Sequence, residues 1–476
     1  MGRTFGLPRG RAHGSVSLAL LVVVALGLAF PSRSAAQPSI QTILANGPVS
    51  NRLNIVVLSE GYTSNQLAQF LVGATNVVNL LLSHAPYQEY RNYCNAYALQ
   101  VASKQSGSDH PAYGVSRDTY FNSTYDSVED YLITIPTNSA GQGKVDALLQ
   151  TFMPQCQLPI LLVNDLTDGG SDGFFRTAIV SLGGVVAEGD YGQPGILSHE
   201  TGHVLANLGD EYSTPNPGFP NTEEPNTTQQ TNRLLIKWNA WISPSTPVPT
   251  PDSIGDGVVG LFQGAHYHTN GWYRPELNCA MGSLGVPFCA VCSEALVLAL
   301  YQKTRPVDAF SPAASTLSVS TTQALNFSLT LLQPASHNLS VQWYTNQAAV
   351  LGATNPVLII SPTTLGNGNH TVSATIHDGT PLVRNDPTNL LTQTVTWTVK
   401  VGLSQLRLDS PLWLKDQRFA FRIVGSSSQA VVVQYSTNLS NWVSVATNSL
   451  VGGQLWFTNT PSSSASRGFY RALSPG

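Results

Sequence analysis

Residues 197–212 read LSHETGHVLANLGDEY. His199 and His203 stand four positions apart, with Glu200 directly after the first. On a helix, positions i and i+4 share one face, a turn apart. Both imidazoles then reach a single metal ion at about 2.0–2.1 Å. Glu200 is turned about 100° from His199, which takes it out of the ligand row but leaves it within reach of a water on the metal. Two histidine ligands and a glutamate general base make up the H-E-x-x-H pattern of zinc-dependent hydrolysis. The same letters also fit a polar helix face or a buried histidine pair, and the surrounding chain decides between the readings.

The pair needs a third ligand, and chain geometry narrows the choice. Asp210 follows His203 by seven residues; on a continuing helix it would lie ~10 Å further along the axis, too far to share the ion. The helix must therefore end and the chain turn back. Asn207 and Gly209 are the residues that tolerate a left-handed C-cap. Asp210, directly after Gly209, is the preferred ligand, with Glu211 as its competitor and His266 and His268 as further candidates. A glycine three positions after the second histidine and a histidine six after it would mark the strict metzincin motif; Ala206 and Gly209 occupy those places. Downstream, Met281 sits in an Ala-Met-Gly turn suited to an apolar floor beneath the histidines. Tyr273 is the preferred donor to an oxyanion, with Tyr212 and Tyr267 as alternatives.

Outward from this stretch the order is α/β. Strands are expected at 54–58, 97–102, 159–163 and 178–182, and helices at 65–84, 143–152 and from about Pro194. The 159–163 run, PILLV, is apolar on both faces, as a central strand is. Residues 164–173, NDLTDGGSDG, read as a solvated turn, with calcium binding by the aspartates as the weaker alternative. After about Thr304 the texture changes. Residues 310–401 lack cysteine, are dense in Ser, Thr, Asn and Val, and alternate with period two at 339–344, 371–376 and 394–401, with Trp343 and Trp397 as core anchors. A second β-module follows, with strands at 419–424, 431–436, 442–446 and 454–458.

The N-terminus has the parts of an export signal. Arg3, Arg9 and Arg11 precede the apolar run 15–30, and Ser34-Ala35-Ala36 supplies small residues for cleavage. The run is short for a spanning helix, which needs ~20 apolar residues, so the mature chain is expected to begin near Gln37 and to carry no membrane span. The expected organisation is a signal peptide at 1–36, a metallopeptidase domain at 37–305, an Ig-like β-sandwich at 306–402 and a C-terminal β-module at 403–476.

Charged residues make up only 11% of the 476-residue chain, and the net charge is −4, which argues against a nucleic-acid partner. All five cysteines, Cys94, Cys156, Cys279, Cys289 and Cys292, precede residue 300. In an oxidising compartment a disulfide is expected near Met281, and Cys94–Cys156 is a second candidate. A structural zinc on Cys279, Cys289 and Cys292 is the alternative. There is no P-loop, dinucleotide fingerprint or Gly-x-Ser-x-Gly elbow.

Several separated motifs occur in order: Leu58-Ser59-Glu60-Gly61-Tyr62, His199-Glu200-Thr201-Gly202-His203, Leu208-Gly209-Asp210-Glu211-Tyr212, Glu224-Pro225-Asn226, Tyr273-Arg274-Pro275, Cys279-Ala280-Met281 and Phe288-Cys289-Ala290-Val291-Cys292. Together they resemble peptidase family M64, the IgA-peptidase-like zinc metallopeptidases of bacteria, over residues 54–299. The resemblance implies an α/β (α+β) metzincin-like zincin domain with one catalytic Zn2+. It implies His199, His203 and Asp210 as ligands, Glu200 as catalytic acid/base and Met281 as the methionine turn. The immunoglobulin of the family's name is not thereby this chain's substrate. The expected function is that of a secreted or envelope-exterior zinc endopeptidase acting on a protein or peptide, its β-modules attaching to a surface glycan or protein. Two rival readings are a surface-binding protein with an inactive zincin domain, and a zinc amidase or deacylase acting on cell-wall or sugar substrates.

Overall fold

A computed structural model describes residues 37–128, 130–320, 324–402, 405–426, 429–461 and 467–474; the expected signal peptide lies outside them. The first half is built on a six-stranded sheet. Its strands are β1 (Ser39–Leu44), β2 (Leu53–Glu60), β3 (Cys94–Gln100), β4 (Leu158–Val163), β5 (Gly170–Ser171) and β6 (Ala178–Ser181). The spatial order is β1-β3-β2-β4-β6-β5. β3, β2, β4 and β6 run parallel, in registers such as Leu53↔Cys94, Ile55↔Leu158 and Ile160↔Ala178, while β1 and β5 close the two edges antiparallel.

The parallel strands read as unbroken apolar runs because both faces are covered. On one face Ile55, Val57, Ile160, Leu162 and Val180 share a core with helices α1 (Leu67–Leu81), α3 (Leu182–Tyr191), α4 (Ile196–Ala206) and α5 (Ala290–Tyr301). On the other face Val56, Leu58, Leu161, Val163 and Ile179 pack with Val145 and Leu148 of α2 (Gln142–Phe152) and with Phe121, Tyr125 and Ile133. Glu60, at the end of β2, is fully buried and accepts from Thr119 Oγ1 (2.6 Å), Phe121 N (3.0 Å) and Ser123 N (2.9 Å), tying the 119–123 loop to the sheet. The 164–173 segment is a solvated turn only in part: Asp165 accepts from Thr167 N and pairs with His110, and Asp172 accepts from Phe174 N, but Gly170–Ser171 between them is the buried edge strand β5.

Two of these helices escape the periodicity reading. α5 is apolar on every side, which erases the 3.6-residue signal, as in other fully buried helices. α3, LGGVVAEGDY, carries three glycines, each unfavourable by ~1 kcal/mol in a helix. α3 nevertheless matters to the site. Helix α4 begins after Gly195, which has no side chain to cap it. Glu188 of α3 takes that role, its buried carboxylate accepting from Ser198 N (3.1 Å) and Ser198 Oγ. An anion at a helix N-terminus is also favoured by the helix dipole.

The cysteine pairing expected from the sequence does not form, and all five cysteines are free. Cys94 belongs to the core on one face of the sheet, and Cys156 packs against the core on the other. Cys279 Sγ and Cys292 Sγ stand 3.6 Å apart, well beyond a disulfide bond of about 2.05 Å.

The second half is almost entirely β, with one four-residue helix at Pro362–Leu365. Strands Val307–Ser311, Leu325–Leu331 and Val357–Ile360 form one sheet, and Thr316–Ser320, Thr392–Gly402, Gly368–His377, Ser340–Thr345 and Ala348–Ala349 another. The two share a core around stacked Trp343 and Trp397, whose ring centroids are 5.8 Å apart. Two three-stranded sheets follow between Arg407 and Leu473, with their own core at Phe421, Ile423, Val431, Val433 and Phe457. The whole is thus a mixed α+β architecture with few helices and many sheets. No helix among the described residues is long and apolar enough to cross a membrane.

The first β-module is joined to the α/β part by a buried polar network. Asp378 Oδ2 accepts from Tyr90 (2.9 Å) and Tyr301 (2.6 Å), and its Oδ1 meets His337 Nε2 at 2.6 Å. His337 Nδ1 reaches Glu89 at 2.7 Å, and Arg52 forks onto Asp308 at 2.6 and 2.7 Å. Thr380 N donates to the same Oδ1 at 2.9 Å, and a buried carboxylate holding four partners is costly to disturb.

Two stability predictions follow from these contacts. Asp378→Asn lowers unfolding stability by about 2–3 kcal/mol, read from urea denaturation; an unchanged midpoint would show that the network is dispensable. Glu188→Ala removes the cap from α4 and also costs about 2–3 kcal/mol, and wild-type stability in that variant would reject Glu188 as the cap.

Candidate metal centre

Helix α4 holds His199, Glu200 and His203, all buried. Each imidazole is oriented through its Nδ1, which donates to a backbone carbonyl: His199 to Ala280 O at 2.9 Å, and His203 to Leu208 O at 2.6 Å. This fixes both tautomers and leaves both Nε2 lone pairs free. The two Nε2 atoms face each other at 3.0 Å.

The helix ends at Asn207, whose φ of 52° is left-handed, and the chain reverses as the helix-end argument requires. Asn207 alone supplies that conformation. Gly209 is needed for a different reason: a Cβ there would stand 2.5 Å from Glu224 Oε2. Asn226 lines the returning segment. It accepts from Gly209 N at 2.7 Å and donates to Gly209 O at 2.8 Å, as a ladder partner would.

The reversal brings Asp210 back to the histidines. Its Oδ1 lies 3.1 Å from His199 Nε2 and 3.4 Å from His203 Nε2. Its Oδ2 accepts from Tyr267 OH at 2.8 Å. Tyr267 is placed by a tight turn in which His266 and Tyr267 both take positive φ, 53° and 57°. That turn joins strands β7 (Phe262–Ala265) and β8 (His268–Arg274) and matches the two-residue hairpin geometry. The backbone of the turn also pairs with the Asp210 segment, His266 N with Asp210 O (2.9 Å) and Tyr267 N with Tyr212 O (2.8 Å).

Three acceptor atoms therefore converge with no donor among them, and Asp210 Oδ1 is buried without a hydrogen-bond partner. Tetrahedral zinc with N and O ligands at about 2.0–2.1 Å has ligand–ligand edges of about 3.3 Å. The observed 3.0, 3.1 and 3.4 Å fit that edge. Burial works against charged imidazoles, but Asp210 outweighs it and holds His199 and His203 above the ordinary histidine value. Burial also opposes the Asp210 carboxylate, yet the two histidines hold its carboxyl well below the usual range. Glu200 offers a carboxylate oxygen within 4.8 Å of both imidazoles, and burial pushes its carboxyl up to about 8.

The structure separates the other sequence candidates. Glu211, beside Asp210, turns away from the histidines to Asn226 and Cys292. His266 pairs with Glu224 at 3.0 Å and stacks on Trp272, and His268 Nδ1 meets His266 O. Met281 is fully buried, its sulfur 3.2 Å from where a Cβ on Gly202 would stand, and its carbonyl accepts from Glu211 N at 2.8 Å. Tyr212 is the tyrosine stacked against His199, centroids 6.0 Å apart. Tyr273 pairs through its backbone with Thr228, and its ring joins the core. Sequence reasoning missed Glu188, Asn226 and the positioning role of Tyr267. Of these only Asn226 lay within a recognised motif.

Comparison with known proteins bears on this centre. Among solved structures, similarity is reported to Bacteroides uniformis beta-glucuronidase 3 (8% identity, 44% of this chain and 29% of that one, TM-score 0.14). It is also reported to three N-terminal domains of the bacteriophage RB49 Highly Immunogenic Outer Capsid protein (13%, 31% and 55%, 0.16) and to the chaperone–tip adhesin complex of CFA/I fimbriae (10%, 35% and 97%, 0.14). This chain spans less than a third of the first structure's length. No curated protein matches the chain. The family model described as IgA Peptidase M64 matches residues 41–254 and 252–300, more than half of the chain and all of the elements that build this centre. The chain therefore belongs to the IgA Peptidase M64 family.

Proposed function

We propose that this protein is an exported, zinc-dependent endopeptidase whose ligands are His199, His203 and Asp210 and whose general base is Glu200. The observation that carries the reading is the convergence of two tautomer-fixed Nε2 atoms and an unpartnered carboxylate oxygen at 3.0–3.4 Å, with a buried glutamate beside them. A zinc ion held there supplies Lewis-acid polarisation of the scissile carbonyl and lowers the pKa of water.

The chain's own residues do the rest. Glu200 takes the proton from the attacking water and returns it to the leaving amine. Ala280 O and Leu208 O keep the imidazoles aimed, and Tyr267 holds Asp210 in line. Tyr212, against His199, donates to the developing oxyanion, the role first sought in Tyr273. The catalytic part, residues 37–305, is read as a metzincin-like zincin. Residues 306–402 are read as an Ig-like sandwich and 403–476 as a further β-module, both serving attachment to a surface glycan or protein. The basic and apolar N-terminus supports cleavage near Gln37 and a secreted or envelope-exterior location.

The test is hydrolysis of a quenched-peptide library by the mature chain, with bound zinc measured in parallel. Glu200→Gln keeps its zinc and loses turnover by at least ~100-fold, and His203→Ala loses both. Full turnover in Glu200→Gln, or full zinc at this centre in His203→Ala, rejects the assignment. The tyrosines separate further. Tyr267→Phe weakens zinc affinity about 10-fold by freeing Asp210, whereas Tyr212→Phe retains zinc and lowers kcat about 100-fold. The reverse pattern would exchange their roles.

A further inference from the structure

Behind the first centre lies a second cluster that peptide hydrolysis does not use. Cys279, Cys289, Cys292 and Glu211 are all buried, and their sulfur and carboxylate atoms lie within 4.8 Å of one another. Cys279 Sγ and Cys292 Sγ are 3.6 Å apart, and Cys292 Sγ is 3.5 Å from Glu211 Oε1. Tetrahedral zinc with sulfur at about 2.3 Å and oxygen at about 2.0 Å has S–S edges of about 3.8 Å and S–O edges of about 3.5 Å. The Cys279–Cys292 and Cys292–Glu211 separations match those edges.

Its polar surroundings also suit anionic sulfur. Cys279 Sγ accepts from Cys289 N at 3.3 Å, and Cys289 Sγ accepts from Cys292 N at 3.4 Å. Cys289 is the N-cap of α5, so the positive end of that helix faces the thiols. Glu211 Oε1 accepts from Asn226 Nδ2 at 2.8 Å, but Glu211 Oε2 is buried without a partner. A buried carboxylate beside three thiols, with an oxygen left over, calls for a cation.

We propose that Cys279, Cys289, Cys292 and Glu211 form a closed structural site for a second zinc ion. Sulfur-rich, four-coordinate donor sets favour zinc among the common divalent metals. On binding, the thiols release their protons to solvent, four ligand bonds form, and no oxidant or reductant is needed.

The placement assigns the site a purpose. Cys279 begins the turn whose Ala280 carbonyl orients His199 and whose Met281 carbonyl holds Glu211 N. Glu211 follows the first-centre ligand Asp210 directly. A metal bonded to Cys279, Cys289, Cys292 and Glu211 would staple the Met281 turn, the start of α5 and the Asp210 segment to one point beneath α4. The cysteines would then serve as ligands in an exported protein where disulfides were expected.

This inference rests on the proposed catalytic centre only for its purpose, and the experiment separates the two. Zinc is counted in the purified mature chain, in His203→Ala and in Cys292→Ser, and the metal-free wild type is refilled with Co2+. The expected result is two zinc ions per wild-type chain and one in each variant. The intense thiolate-to-cobalt absorption should appear in wild type and His203→Ala and be lost in Cys292→Ser. One zinc in wild type, kept in His203→Ala and lost in Cys292→Ser, would support the cysteine site while sinking the catalytic one. Should either variant fail to fold, the wild-type cobalt spectrum decides: a thiolate band supports the site and its absence overturns it. A disulfide among the three cysteines in a peptide map of the zinc-loaded protein would also overturn it.

Discussion

Everything around the centre serves one electrostatic constraint: three acceptor atoms, His199 Nε2, His203 Nε2 and Asp210 Oδ1, are held 3.0–3.4 Å apart with no donor among them. Left alone, such an arrangement repels itself or collects protons. It persists because each atom is fixed from behind. Ala280 and Leu208 carbonyls hold the rings, Tyr267 holds the second oxygen of Asp210, and the left-handed Asn207 turns the chain so that Asp210 arrives at all. These supports come from three separate segments of the chain, at 207–208, 267 and 280. That dispersal explains why the centre depends on the packing of the whole α/β half rather than on one helix.

The parts legible in the sequence were those with a local cause. The i, i+4 histidines declared a helix face, and the length of chain to Asp210 demanded a reversal, which a residue tolerant of left-handed backbone then supplied. The strands at 53–60, 158–163 and 178–181 were plain because burial on both faces leaves continuous apolar runs. The long strands of the tail showed period two. What was not legible had non-local causes. Nothing near α4 indicates that Glu188, ten residues before Ser198, caps it. The apolar-all-round α5 hides its period, and Tyr267 becomes a support for Asp210 only through a hairpin that closes 57 residues later. The cysteines misled for a related reason. Compartment and number argued for pairing, but Cys94 and Cys156 lie on opposite faces of one sheet.

The β-half is more tightly joined to the α/β half than a composition change at a linker implies. Asp378, Tyr90, Tyr301, His337 and Glu89 make a continuous hydrogen-bonded chain across the junction, buried at Asp378 and the two tyrosines and half-buried at His337 and Glu89. Tyr301 is the last residue of α5, and α5 begins at the Cys289–Cys292 turn. One helix thus runs from the candidate metal centre's side of the core to the seam with the first β-module.

The most direct measurement is anomalous scattering at the zinc edge from crystals of the mature chain. The expected result is a peak bonded to His199 Nε2, His203 Nε2 and Asp210 Oδ1 at about 2.0–2.2 Å, with Glu200 beside it and outside the coordination shell. No peak between the histidines, or one ligated there by Glu211 in place of Asp210, would contradict the constraint from which the rest of the structure has been read.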